Sequence, residues 1–522
     1  MTVAEATPEL TMADHADRAF LGHPKGLAYL SFTEAWERFS YYGMQNLLVL
    51  YMVKLLLLPD HIGHIAGFAT FRWLTGLSDT QGQPLASAIY GDYTSLVYAT
   101  PFFGGLLADR LLGRRYTVLT GAILMAMGHF LMAFDTTFLF ALLCLILGSG
   151  CFKGNIASQV GALYQPDDLR RADAFQIYYL GINIAGIFTP LVVGTLGEKL
   201  GWHYGFGAAG IGMLLALGIY LSGRKYLPAD TVRRPNALQI YNFGMTLIAV
   251  ITPIIVVWLV MKLGWHYGFG AAGVGMLLAL AIYLWGRKYL PRERKKASRM
   301  ALTKKDWLAV LALILIIPVM AMALVPNNQI FNAYLVWADE RFDLVFFGWR
   351  IPTTYLTSID AVVSISFLAV VALFYRWYGA RRKEPDEITK MIIGSVFSVA
   401  GMLCLYMAAA TTPAGHKITL FWPMMFELLN SIGFAHLLPV SLALFARMAP
   451  PQLNSAVIGL YYVAFFGGNK LVGWVGGLYS SMATPQFWLL HAGFALVSGT
   501  VFLLFKLLLA PRLMAGPTPA TT

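Results

Sequence analysis

Two glutamates and an arginine lie in an otherwise membrane-like stretch near the start of the chain. Glu37 and Arg38 follow Glu34 by three and four residues, which places all three on one face of a helix. The stretch, residues 32–52, ends in an apolar run and is long enough to cross a bilayer. Charged side chains at membrane depth are costly, and they normally face a cavity and serve transport. The spacing therefore predicts a charged transport site on a membrane-spanning helix.

The composition is that of a polytopic membrane protein. Of 522 residues, 58% are hydrophobic and 12% charged, and the mean hydropathy is +0.64, whereas soluble domains carry roughly a quarter charged residues. The net charge of +12 comes from basic residues dispersed among short loops, which indicates topology signals and no nucleic-acid partner. The three cysteines lie in apolar segments and predict no disulfide framework.

Apolar segments of membrane-spanning length predict fourteen transmembrane helices. They lie at 28–54, 86–108, 115–134, 137–163, 174–197, 204–222, 238–261, 266–285, 306–337, 352–376, 388–410, 419–447, 455–480 and 486–509. The basic loops follow even-numbered spans, so both termini are expected in the cytoplasm. The first 27 residues lack a signal-peptide core, so the first span is expected to direct insertion into the cell inner (plasma) membrane.

An internal repeat divides the chain. Residues 200–228 and 263–291 differ at three positions, which indicates that the hairpin of the fifth and sixth spans has been copied in place. The expected organisation is a cytoplasmic segment 1–27, a six-helix bundle 28–228, an inserted hairpin 229–291, a basic linker 292–305, a second six-helix bundle 306–509 and a tail 510–522. The copy has no ionisable residue at membrane depth, so we expect it to take no part in transport; the alternative is that all fourteen helices share in transport.

Two motifs resemble known transporters. GGLLADRLLGRRY, residues 104–116, resembles the loop signature of the major facilitator superfamily. The pattern from Glu34 to Gly43 resembles the first helix of the proton-dependent oligopeptide transporter family, and 148–164, 175–184 and 458–470 also match that family. The resemblance implies an all-α, polytopic major facilitator fold of two six-helix bundles, to which the hairpin is added.

The resemblance also implies roles for individual residues. The first-helix charges and the fourth-helix lysine would couple protons, namely Glu34, Glu37, Arg38 and Lys153. The substrate pocket would include Arg38, Tyr41, Tyr42, Tyr98, Lys153, Asn155, Asn183, Asn328, Asp360, Phe434 and Tyr461. Asp109 and the arginines of the loop signature can pair across the cytoplasmic helix ends, and Asp109 and Arg110 are expected to act as a gate there.

The residues support a peptide site on physical grounds as well. A di- or tripeptide is a zwitterion, so its site needs a cation at one end, an anion at the other and aromatic walls between. Arg38 and Lys153 supply cations, and protonation of Glu34 or Glu37 would free Arg38 for the peptide carboxylate. The alternative is a self-satisfied charge cluster that only holds helices together.

The second half departs from the family pattern. Phe434 occupies the position of the family's substrate-binding glutamate, and Glu427 lies seven residues earlier, on nearly the same helix face. Gln45 and Asn328 replace a gate ion pair, so that gate can close only through amide hydrogen bonds. Asp360 replaces an asparagine, and we expect it to supply the anion that faces the peptide amino end, with Glu427 as the alternative. Both acids are expected to take part in proton coupling. The alternative for Asp360 is an interfacial aspartate paired with a neighbouring helix.

The sequence thus predicts a proton-coupled symporter that imports di- and tripeptides by alternating access. It would be a monomer driven by the proton gradient, with no cofactor and no metal. The alternatives are a proton-coupled transporter of another small zwitterion, anion or peptide-mimetic drug, and a peptide sensor that does not transport. An enzyme is not expected, because the sequence shows no nucleophile triad or metal spacing.

Overall fold

A computed structural model gives the fold of residues 17–165, 168, 170–227, 303–413, 415–450 and 453–509. The predicted hairpin 229–291, the basic linker up to residue 302, and the tail 510–522 lie outside the described residues, as do residues 1–16 of the predicted N-terminal segment. The described chain is almost entirely helical and forms two halves, residues 17–227 and 303–509.

The first half contains six long helices and two short ones. They are α1 (Lys25–Tyr51), α2 (Pro59–Ile62), α3 (Phe68–Thr75), α4 (Gly82–Leu107), α5 (Arg114–Leu131), α6 (Phe138–Ala162), α7 (Arg170–Thr189) and α8 (Trp202–Gly223). Wider π-helical turns extend α1, α4 and α7 at Met52–Leu56, Ala108–Leu112, Pro190–Gly194 and Leu196–Leu200.

The second half also has six long helices. The elements are α9 (Lys304–Asn328), α10 (Ala333–Arg341), β1 (Val345–Phe346), β2 (Trp349–Arg350), α11 (Tyr355–Gly379), α12 (Glu387–Thr411), α13 (Phe421–Met448), α14 (Asn454–Gly477) and α15 (Thr484–Leu508). Side chains set where two of these helices begin: Thr303 and Asp306 form a capping box at α9, and Asp386 accepts from the Thr389 N–H at α12.

Eight helical segments of the described residues are long and apolar enough to span a membrane. They involve α6, α7, α8, α9 with α10, α11, α12, α13 and α15. The other four long helices, α1, α4, α5 and α14, have 18 to 27 residues. The chain is therefore a multi-pass helical membrane protein.

Two local features differ from the predicted pattern. The predicted span 306–337 is interrupted: α9 ends at Asn328, and α10 begins after a turn in which Asn332 leaves helical geometry (φ −127°, ψ −112°). Pro326 weakens the helix there, because it lacks the N–H that would bond four residues back. The fold is also not purely α-helical, because β1 and β2 pair antiparallel about a tight turn with positive φ at Phe347 and Gly348.

The two halves meet mainly where α4 packs on α14 and where α7 packs on α11. The ends of the helices define two faces of the molecule. Lys25 and Tyr226 lie at one, which we call the amino-terminal face, and Tyr51, Asp135 and Trp202 lie at the other, which we call the distal face.

Candidate functional site

The charged residues of α1 form one compact, buried cluster. The Nε atom of Arg38 lies 2.9 Å from Glu34 Oε1 and 2.6 Å from Glu37 Oε2. All three residues are at most 8% exposed. The Arg38 Nε–H does not point along either contact, so charge, more than an aligned hydrogen bond, holds the cluster together. Such a pairing can be exchanged for another anion without breaking a directional bond.

The Tyr41 ring connects Arg38 to Lys153 of α6. Lys153 Nζ lies 3.9 Å from the centre of the ring and Arg38 Cζ lies 5.1 Å from it, both within cation–π distance. Lys153 also lies 5.5 Å from the Tyr98 ring centre. Within the described residues no carboxylate forms a direct ion pair with Lys153. The ammonium group is therefore open to an anionic partner.

Tyr178 of α7 completes the cluster, and sequence reasoning missed it. Its hydroxyl lies near the Glu34 side chain, and the residue is buried. Tyr178 lies in the family-like stretch 175–184, but the contact joins residues 144 positions apart, which spacing along one helix cannot reveal. Asn183 lies on the same helix and is half-buried.

In the second half, two acidic residues from different helices come together. The carboxyl groups of Asp360 (α11) and Glu427 (α13) lie near each other, where α11 packs on α13. Tyr334 of α10 donates its hydroxyl to Glu427 Oε1 at 3.1 Å, and Ser364 donates to Asp360 Oδ1 in a longer bond of 3.4 Å. Sequence reasoning treated Asp360 and Glu427 as alternatives and missed Tyr334, because the three residues are far apart in the chain.

Aromatic side chains line the join between the halves. Tyr98 of α4 stacks on Phe465 of α14 with ring centres 5.2 Å apart, and Phe465 packs against Tyr461 at 5.3 Å. The Tyr461 hydroxyl is 3.0 Å from Ser441 Oγ. On the opposite flank, Tyr42 lies near α11, because Gly186 of α7 is packed between the Tyr42 ring and Ala361.

Within the described residues, the hydrogen bonds and ion pairs that join the two halves lie from mid-depth to the distal face. At mid-depth Asp92 pairs with Lys470. Closer to the distal face, Ser87 donates to Asn332 Oδ1 at 2.8 Å. At that face itself Lys54 pairs with Asp339 at 2.6 Å. The structure is thus closed at the distal face.

Comparison with known proteins identifies the family. The model of the POT family (PTR2) matches residues 115–250, 226–308 and 292–487. The peptide transporter YePEPT of Yersinia enterocolitica is 30% identical over 475 residues, which cover 88% of this chain and 89% of that protein. The chain belongs to the POT family.

A second relative and a solved structure agree with this assignment. A di-/tripeptide transporter of Lactococcus lactis subsp. cremoris is 28% identical over 511 residues, covering 94% of this chain and 96% of that protein. The crystal structure of a variant of the peptide transporter POT in complex with alafosfalin aligns with a TM-score of 0.74 at 27% identity, covering 96% of this chain and 97% of that one. The helical membrane fold of this chain is thus similar to that of the major facilitator transporters of this family.

Two predicted substrate-binding residues, Asn155 and Phe434, lie outside the charged cluster of Glu34, Glu37 and Arg38. Asn155 is buried, and its amide donates to the Gly104 carbonyl oxygen at 3.1 Å and to that of Cys151 at 2.8 Å. It joins α6 to α4 in this structure. Phe434 is half-buried on α13, the helix that carries Glu427. The binding roles of both residues stay predictions.

The predicted amide gate is not formed between its two members. Gln45 donates to the Tyr90 hydroxyl at 3.0 Å, within the first half. Asn328 donates to Asn469 Oδ1 at 3.4 Å, within the second half. Each amide is thus occupied inside its own half, and the distal face is closed by other residues.

At the amino-terminal face, Asp109 lies 3.9 Å from Arg114 Nη2, and both side chains are largely exposed. The pair lies within one half and joins the π-helical turn after α4 to the start of α5. The side chain of Arg110 lies outside the described part of the structure. Among the described residues, no group of histidine, cysteine, aspartate and glutamate is arranged to hold a metal ion.

Proposed function

We propose that this chain is a proton-coupled symporter that imports di- and tripeptides by alternating access. One observation carries the proposal: the two halves carry clusters of opposite charge. The cations Arg38 and Lys153 lie in the first half, and the acids Asp360 and Glu427 lie in the second. Family membership and the peptide transporters among its relatives support it.

The first half would bind the peptide carboxylate and the driving proton. Glu34 and Glu37 share one guanidinium, so protonation of either glutamate releases part of the charge on Arg38. Lys153, which has no direct carboxylate partner in the described residues, would bind the peptide carboxylate together with the released Arg38. Proton binding therefore favours substrate binding, and this is the coupling that symport requires.

The second half would bind the peptide ammonium. Two neighbouring carboxyl groups cannot both stay ionised at low cost in a site with little access to water, so Asp360 and Glu427 would share a proton when no substrate is bound. The ammonium group of a peptide supplies several N–H donors and could replace that proton. On this reading, Asp360 and Glu427 act as one unit in place of the family glutamate that Phe434 has displaced.

The proposed symporter has a defined orientation in the membrane. Both termini would lie in the cytoplasm, the membrane would be the cell inner membrane, and the distal face would be extracytoplasmic. The twelve long helices of the described residues and a hairpin at 229–291 would together give fourteen. The working unit would be a monomer that needs no cofactor beyond the proton gradient.

Uptake by proteoliposomes tests the proposal. Labelled dipeptide should accumulate when the lumen is made alkaline, a protonophore should abolish accumulation, and unlabelled di- and tripeptides should compete better than tetrapeptides. Absence of both uptake and binding of dipeptide would favour another small zwitterion, anion or peptide-mimetic drug as the substrate. Binding of dipeptide without counterflow would identify a sensor and overturn the transport proposal.

A further inference from the structure

Glu198 in the first half caps a helix of the second half. It lies on the π-helical turn Leu196–Leu200, near the distal end of α7. Its Oε2 accepts from the Thr353 N–H at 2.8 Å, and its Oε1 accepts from the Thr354 N–H at 2.9 Å and from Thr354 Oγ1 at 2.8 Å. Thr354 is the N-cap residue of α11 and makes no side-chain cap of its own. The carboxylate thus supplies the acceptor and the negative charge that a helix N-terminus favours.

Ionic contacts surround this cap and also join the halves. Lys54 Nζ lies 2.6 Å from Asp339 Oδ2, and Asp339 in turn binds Arg350 Nη2 and Thr353 Oγ1, each at 2.9 Å. Lys199 Nζ donates to the Arg350 carbonyl oxygen at 2.5 Å. We call this set the distal clamp; its members are Lys54, Glu198 and Lys199 of the first half and Asp339, Arg350, Thr353 and Thr354 of the second.

The Thr353 and Thr354 N–H groups that donate to Glu198 belong to buried residues, so closure of the distal face depends on this contact. Thr353 and Thr354 have no exposed surface in the closed structure. Without the carboxylate, their N–H groups would lack an acceptor unless water entered from the distal face. A cavity of about 360 Å³, lined in part by Lys54, Glu198 and Arg350, lies beside the clamp and could supply that water. Release of Glu198 and hydration of the interface are therefore linked.

Close packing directly beneath the clamp depends on the same approach of the helices. A Cβ atom at Gly194 would lie 1.9 Å from Thr354 Oγ1, so α11 contacts the backbone of the first half at this point. Thr195 Oγ1 lies 2.9 Å from the Tyr355 hydroxyl, and Ser358 donates to the Ile187 carbonyl oxygen at 2.8 Å. The three contacts are short and can form only while the distal face is closed.

We propose that Glu198 is the latch of the distal gate, and that its bonds to the N-terminus of α11 set the balance between the closed and open forms of that face. The latch replaces the closure that Gln45 and Asn328 do not provide. The proposal rests on the proposed transport function, because a gate serves alternating access.

Spin–spin distances across the distal face test the latch. Labels would be attached at His203→Cys and Phe347→Cys, exposed positions in the first and second halves, after replacement of Cys144, Cys151 and Cys404. The parent protein should give mainly one short distance. Glu198→Gln removes the charge and one acceptor oxygen, so the ratio of the longer to the shorter distance should rise about tenfold, as expected for loss of a charge-assisted hydrogen bond.

Glu340→Gln is the matched control. Glu340 is an exposed carboxylate near the same face, but its partner, the Tyr479 hydroxyl at 2.8 Å, lies in the same half. Its distance distribution should equal that of the parent. An unchanged distribution in a monodisperse Glu198→Gln protein with the parent's melting temperature would overturn the latch. Absence of dipeptide counterflow in the parent would overturn the proposed function. The measured distances would then still show whether Glu198 holds the distal face closed.

Discussion

Glu37 is the residue of the first-half cluster that lies closest to Arg38, with 2.6 Å between Oε2 and Nε. Glu37→Gln imitates the protonated carboxyl permanently, so substrate can bind but no proton is released at this site. We expect accumulation driven by a pH gradient to fall at least about tenfold, the scale of a functional general acid–base group, while counterflow stays within about threefold of the parent. Uptake by the same proteoliposomes under the two conditions measures both quantities.

Glu340→Gln again serves as the control, because Glu340 is exposed and lies far from Arg38 in the fold. Both of its transport modes should match those of the parent. If Glu37→Gln accumulated dipeptide against a gradient as well as the parent does, Glu37 would have no part in coupling, and the cluster would be a structural ion pair.

Asp360 tests the second half of the site. Asp360→Asn leaves Glu427 and its Tyr334 bond in place but removes the second acid that would bind an ammonium group. We expect proton-driven uptake to be abolished and the preference for a free over an N-acetylated dipeptide to drop about tenfold or more, because a buried charged contact is lost. Competition by the two peptides for the binding of labelled dipeptide measures this preference, which does not require uptake. The exposed residue Asp343 offers a control, Asp343→Asn, which should keep the full preference; unchanged uptake by Asp360→Asn would sink the assignment.

How far these residues were predictable from sequence depends on the distance over which they interact. Glu34, Glu37 and Arg38 share one turn of one helix, so their spacing alone predicted that they meet. Asp360 and Glu427 are 67 positions apart in the chain, and they come near each other only because α11 packs on α13. The role of Glu198 could not be predicted, because in the sequence a glutamate at the edge of a predicted loop looks like any solvent-exposed carboxylate.

At the scale of elements, glycine contacts set how closely α4 and α6 pack. A Cβ at Gly104 would lie 2.0 Å from the Gly150 carbonyl oxygen, whereas a Cβ at the adjacent Gly105 would meet no atom within 4 Å. Gly104→Ala should therefore destabilise the protein by about 1–3 kcal/mol, the usual cost of overpacking. Gly105→Ala should be neutral or stabilising by about 0.5–1 kcal/mol, because alanine loses less conformational freedom in a helix.

Thermal denaturation followed by size-exclusion chromatography compares the two variants under one condition. The midpoint of Gly104→Ala should lie below that of the parent, and that of Gly105→Ala at or above it. Equal midpoints for the two alanine variants would show that α4 and α6 can separate at little cost, which the buried Asn155 bond to Gly104 argues against.

The elements themselves were largely predictable, because length and hydropathy define a membrane helix. The first predicted span, 28–54, overlaps α1 and its π-helical turn, and the fourth, 137–163, matches α6 within a residue at each end. The break after Asn328 was not predicted, because apolar residues on both sides of the polar stretch 326–332 give one continuous span by length. The Asn332 side chain, bonded to Ser87 and to the Val472 carbonyl oxygen, stabilises the break through contacts outside the helix. The β1–β2 ribbon is too short for a periodic signal to appear.

For the whole molecule, the contacts of the candidate site and of the distal clamp lie within residues 17–227 and 303–509. The repeat 263–291 copies residues 200–228 but adds no membrane-depth ionisable residue. A transport cycle in which one half rocks against the other requires only that a linker of sufficient length joins residue 227 to residue 303. This predicts that the segment 229–291 is dispensable for transport.

One variant lacks residues 229–291 and retains the basic linker 292–305. Its proton-driven dipeptide uptake per folded molecule should stay within about threefold of that of the parent. The reason is that a change in loop length alters the free energy of loop closure by at most about 1 kcal/mol. Deletion of residues 200–228 is the comparison: it removes the stretch that residues 263–291 copy with three differences, but it takes away α8, whose Ala209 carbonyl accepts from Ser40 of α1 at 2.6 Å. That variant should fail to fold or transport. A monodisperse protein without 229–291 that binds dipeptide but does not transport it would show that the copied hairpin takes part in the cycle.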